Sequence, residues 1–184
     1  MKKTIVQTVT GIMVLCLMVA CSKGGDKKAN EDTSSGEHTY EISIAGGETY
    51  KGSVPSYAPG VVEVYNPVSF VEYSEEISSK ILTGMLQEAG KFQFGIGLAL
   101  DEDNKPSIQG SGPGLAFGEW GSEDKYGPAG SINMTLKNYK EHSISMYGEE
   151  GTVASYTLTF SGKFKLGRAG EEVDVTGEIV VAAP

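Results

Sequence analysis

From residue 38 onward the chain alternates between apolar and polar positions. Tyr40, Ile42 and Ile44 are separated by Glu41 and Ser43 and run into Ala45-Gly46-Gly47. This is the pattern of a half-buried strand ending in a turn. A short segment at 61–65 follows Pro59-Gly60, is stopped by Pro67 and resumes over 68–73. Lys91 to Leu100 places Phe92, Phe94, Ile96, Leu98 and Leu100 on one face and Gln93, Gly95, Gly97 and Ala99 on the other. The small residues of that second face predict a close neighbour or a tight bend. In the last third Ile132, Met134 and Leu136 alternate, as do Ile144 and Met146, then Tyr156, Leu158 and Phe160. The phase of the last group survives Ser161-Gly162 into Phe164 and Leu166. That predicts either one long bent strand or two strands tightly joined. Val173, Val175, Ile179 and Val181 form a closing strand with Gly177 inside it.

One stretch has a different period. Ile77, Ile81, Leu82, Met85, Leu86 and Ala89 fall on a single helical stripe. Ser74 is placed as an N-cap, Glu75 and Glu76 in a first turn, and Gly90 just past the end. This predicts one short helix over 75–89. Ser78, Ser79, Thr83 and Gly84 are weak helix formers, and the alternative is a strand from Ser79 to Leu86. Strands recurring every 10–12 residues or so with Gly-rich turns indicate an all-β antiparallel sandwich-like or barrel-like domain.

The N-terminus follows neither pattern. Lys2 and Lys3 precede a continuous apolar run from Ile12 to Ala20. It is too short for the roughly 20 residues of a membrane-spanning helix and has the layout of a secretory signal. Leu17-Met18-Val19-Ala20-Cys21 resembles the lipobox of bacterial lipoproteins. The resemblance implies cleavage before Cys21, a diacylglycerol on its thiol and an acylated new amine. Palmitate-like chains bury many methylenes at about 0.8 kcal/mol each, so two or more make a stable anchor. By the same resemblance Ser22, where Asp would retain a lipoprotein at the inner membrane, implies the outer membrane, with the periplasmic or surface face open. The segment from Ser22 to Glu37 holds one Ala and no larger apolar residue, so nothing in it repays the entropy of ordering. The expected organisation is therefore a signal peptide over 1–20, lipidated Cys21 with a flexible tether over 21–38, and a β-rich domain over 39–184. Gly130 to Leu136, Phe160-Ser-Gly-Lys-Phe164 and Val175-Thr-Gly-Glu-Ile179 resemble the C-terminal half of small β-rich lipoproteins of Bacteroidetes-type bacteria. That family has no settled activity, so the resemblance implies no reaction.

Composition narrows the partners. There are 15 Lys+Arg against 24 Asp+Glu in 184 residues, a net charge of -9. A chain this acidic is a poor phosphate-backbone binder, so no nucleic-acid partner is expected. Of the 2 cysteines, Cys16 leaves with the signal peptide and Cys21 is acylated. No disulfide is left, and the domain must be held by its own core.

Candidate chemistry is sparse. The chain has no G-x-S-x-G, no phosphate-binding loop and no H-E-x-x-H, and Gly95-x-Gly97 lacks the third glycine of a dinucleotide fingerprint. His38 and His142 read as exposed residues at a linker edge and a polar turn, so neither a metal site nor a catalytic triad is expected. Asp101 and Asp103 alternate, with Asn104 next to them, as oxygen ligands of a calcium loop would, but Lys105, Pro106 and Gly112 occupy its fifth, sixth and twelfth positions. This predicts a plain acidic turn. Neighbouring acids such as Glu149 with Glu150 and Glu171 with Glu172 leave open a carboxylate-dependent hydrolase. The Gly-rich stretch from Gly110 to Gly130 carries Phe117, Trp120 and Tyr126. Aromatic residues on such a connection form either a platform for a glycan or protein ligand or an anchor to the core. The leading expectation is a non-enzymatic binding or interaction domain on a membrane-anchored envelope lipoprotein, without a cofactor beyond the covalent lipid. The alternatives are a structural or assembly subunit of an envelope complex, and the hydrolase.

Overall fold

The computed structural model describes residues 36–57, 65–108, 114–146 and 148–184. The signal segment, Cys21 and the tether as far as residue 35 lie outside the described residues. The described part is all-β. In chain order the strands are β1 (Glu37–Ile44), β2 (Thr49–Pro55), β3 (Ser69–Ser74), β4 (Ser79–Glu88), β5 (Phe92–Leu100), β6 (Pro106–Ser107), β7 (Leu115–Glu119), β8 (Tyr126–Pro128), β9 (Asn133–Met146), β10 (Glu149–Leu166) and β11 (Glu172–Val181). All pair antiparallel in one sheet of order β2-β1-β11-β10-β3-β4-β5-β7-β8. β8 also pairs with the far end of β10, where Phe164 faces Pro128 and Leu166 faces Tyr126. The ladder from β10 through β3, β4, β5, β7 and β8 thus returns to β10, which gives the sandwich- or barrel-like form.

β10 makes this possible by its length of 18 residues. Its first part pairs with β9 and its last part with β11. Gly162 sits inside it, so the continuous phase across Ser161-Gly162 is one strand. The core lies on the shared inner face. It contains Tyr40, Ile42 and Ile44 from β1, Phe92 to Leu100 from β5, Leu158, Phe160 and Phe164 from β10, and Val175 and Ile179 from β11. Tyr40 joins two parts of the ladder. Its ring stacks on Phe92 at 4.0 Å and its hydroxyl donates to Glu88 Oε2 at 2.6 Å. The hydrogen bonds from Lys91 and Tyr40 hold the Glu88 carboxyl below its usual range.

The helix expected over 75–89 is instead a turn at 75–78 followed by β4. Ile77, Ile81, Met85 and Ala89 are spaced by four, an even number, so a strand puts them all on one face. Leu82 and Leu86 fall on the other. Burial separates the two sets: Leu82 and Leu86 are in the core, while Met85 is 54% exposed. Gly90, the expected helix stop, is a turn glycine at φ +78° between β4 and β5.

Gly177 faces Phe160 across the β10–β11 pair, and a β-carbon there would overlap the Phe160 ring. That ring is boxed in by Phe94, Phe117 and Phe164 at 6.2, 6.3 and 5.8 Å. Gly177→Val is therefore expected to cost about 1–3 kcal/mol by overpacking, seen as a lower urea midpoint. Adding Phe160→Leu should recover part of the loss. An unchanged midpoint in Gly177→Val would contradict this packing.

Candidate functional site

Two neighbouring turns and a hairpin converge at one end of the inner face. β7 and β8 are a short pair, with Phe117 opposite Tyr126. Strand alternation puts Glu119 on the same side as Phe117. The glycine turn at 45–48 returns the chain along β2 and brings Tyr50 to the same place. Phe117 is fully buried. Tyr126, half-buried, stacks on it at 5.2 Å with the planes 16° apart. Tyr50, also half-buried, stands edge-on to Phe117 at 6.0 Å and tilted to Phe92 at 5.4 Å. The result is an aromatic mouth: Phe117 and Phe92 form the floor, and Tyr50 and Tyr126 form the wall open to solvent.

Carboxylates edge this mouth. The Tyr50 hydroxyl donates to Glu48 Oε1 at 2.5 Å. Burial, that hydrogen bond and the charges of Glu48 and Glu119 push the phenol well above its usual range, so it remains a neutral donor at any physiological pH. Glu48 and Glu119 are exposed. Leu166, directly opposite Tyr126, is 42% exposed and extends the apolar border. Lys125 braces the β7–β8 turn: its ammonium donates to the Glu119 carbonyl and, at 2.9 Å, to the Ser122 carbonyl.

Of the three aromatics that the sequence points to, Phe117 and Tyr126 come together as a stacked pair and Trp120 stands apart. Phe117 is core and Tyr126 lies at the mouth. Trp120 is 48% exposed in the turn after β7, held there by its amide donating to the Lys91 carbonyl at 3.3 Å. Tyr50 carries no such signal in the sequence, because Glu48-Thr-Tyr-Lys-Gly52 shows no alternation. Its available signal was that of a tyrosine just past a double-glycine turn.

Both histidines differ from expectation. His38 is not at an exposed linker edge; it lies in β1 with no exposed surface. It shares parity with Tyr40, Ile42 and Ile44, which turns it inward. His142 is in β9, not a turn, and bonds Ser155 Oγ at 2.8 Å. The acidic loop closes as a turn, where Asp101 Oδ1 accepts the amides of Asp103 and Lys105 at 2.9 and 2.8 Å. Compared with family models, with curated proteins and with solved structures, the chain finds no match.

Proposed function

We propose that this chain is a lipid-anchored outer-membrane lipoprotein whose β-domain is a non-enzymatic binding module, with the Tyr50–Tyr126 mouth as its binding surface. The lipobox resemblance at Cys21 supports the anchor. The observation that carries the binding reading is the pair of half-exposed tyrosines resting on a fully buried Phe117 and edged by carboxylates. Rigid aromatic rings offer large contact area at low entropic cost, with hydroxyls for orientation. Anchoring is tested by Cys21→Ser. The variant should lose incorporation of labelled fatty acid and leave the membrane fraction, whereas unchanged labelling would overturn the anchor. Binding is tested by screening peptides and oligosaccharides against the full chain. A ligand of this mouth should be lost in Tyr126→Ala and kept in Tyr73→Ala, an exposed tyrosine on the β3–β4 hairpin. Ligands indifferent to both Tyr50→Ala and Tyr126→Ala would remove the mouth from consideration.

A further inference from the structure

The mouth has a chemical sign as well as a shape. Glu48 and Glu119 both act on the Tyr50 phenol. Among the described residues no ion pair engages either carboxylate; the bridges are Lys51–Glu41, Lys80–Glu141, Lys91–Glu88 and Lys163–Asp174. Of the cations adjacent in sequence to the two tyrosines, Lys51 is paired with Glu41 and the Lys125 ammonium is committed to the two turn carbonyls. Lys165 and Arg168 line a hollow that adjoins the mouth at Leu166 and also holds Lys125, Glu123 and Asp124, but not Tyr50, Glu48 or Glu119. The whole chain carries a net charge of -9, so its field draws cations toward it.

Resting on the reading of the mouth as a binding surface, we infer that its ligand is cationic: the ammonium or guanidinium of a basic peptide segment that carries a bulky apolar side chain beside the charge. The cation is met by Glu48 and Glu119 and by the negative faces of the tyrosine rings. The apolar neighbour lies against Tyr126 and Leu166. Desolvating either carboxylate against an uncharged ligand would leave its charge without a counter-charge, which disfavours neutral and acidic occupants.

The test uses the full chain in a neutral detergent with three probes: a short alternating Lys/Leu peptide, its Glu/Leu counterpart and a neutral oligosaccharide. Ring resonances of Tyr50 and Tyr126 report occupancy of the mouth. The Lys/Leu peptide should shift both, and its affinity should fall as salt rises to about 0.3 M. Glu119→Gln should weaken it about two- to fivefold, and adding Glu48→Gln should weaken it further. Glu72→Gln with Glu102→Gln removes as much charge from exposed positions elsewhere and should change little. Equal weakening in that control would mean that net charge rather than the mouth attracts the peptide, and would overturn the inference. Shifts of the same rings by the Glu/Leu peptide or the oligosaccharide, with the Glu48 and Glu119 variants binding as wild type, would overturn the cationic ligand and leave the mouth standing. Failure of all three probes to move Tyr50 or Tyr126 would count against both.

Discussion

Phe117→Ala is expected to lower folding stability by about 3–5 kcal/mol. A domain of this kind has about 5–15 kcal/mol in total, so urea unfolding should show a large fall in midpoint. The ring is fully buried and lies 5.2 Å from Tyr126, 5.6 Å from Phe164, 6.0 Å from Tyr50 and 6.3 Å from Phe160. These neighbours come from β2, β8 and β10. Removing Phe117 therefore opens a cavity where three separately folded stretches meet, and no disulfide within the domain can hold them together. Phe117→Leu keeps most of the volume and should cost less than about 2 kcal/mol. Trp120→Ala, three residues further on but 48% exposed, should fall within about 0.5 kcal/mol of wild type. Similar losses for Phe117→Ala and Trp120→Ala would mean that the two rings are not divided between core and surface as described.

That division shows where sequence patterning stops being informative. Period-two alternation marks β1, β5, β10 and β11, because each has one face in the core and one outside. It fails for β4, where spacings of four fit both a helix face and a strand face, and the weak helix formers Ser79, Thr83 and Gly84 were the better guide. It breaks β9 into two pieces. Asn138 takes φ 54° in the middle of a strand that runs from Asn133 to Met146, just before its ladder with β10 begins at Lys140. The site is harder to read still. Tyr126 stands out on a Gly-rich connection, but its partner Tyr50 lies 76 residues away in a segment without alternation. Only the pairing of β7 with β8, and of β1 with β2, brings the two to one floor. The carboxylates follow the same logic: the chain's 24 acids make any one of them unremarkable until the fold sets Glu48 and Glu119 beside a single phenol.

His38→Leu is expected to cost about 2–4 kcal/mol, although sequence alone gives this histidine no structural part. Its Nδ1 accepts the buried Ala182 amide at 3.1 Å, which leaves the proton on Nε2 to be donated to the Asn66 carbonyl at 3.0 Å. Tyr65 stands edge-on at 5.9 Å and donates its hydroxyl to the Ala182 carbonyl at 2.9 Å, and burial raises its phenol to about 12. The neutral imidazole thus ties the end of the chain to the start of β1 and to the segment before β3. Leucine fills the space but leaves the Ala182 amide without an acceptor. Burial also lowers the proton affinity of His38 below its ordinary 6.5. Below about pH 6.5 the unfolded chain therefore takes up a proton that the folded chain refuses. The contribution of His38 is complete above that pH and is lost as pH falls toward the depressed folded value. Glutamine can imitate both hydrogen bonds without titrating. The stability gap between wild type and His38→Gln should accordingly shift against wild type between pH 7.5 and 5.5, measured by urea unfolding at each pH. A gap that stays constant across this range would show that His38 is not held neutral by burial.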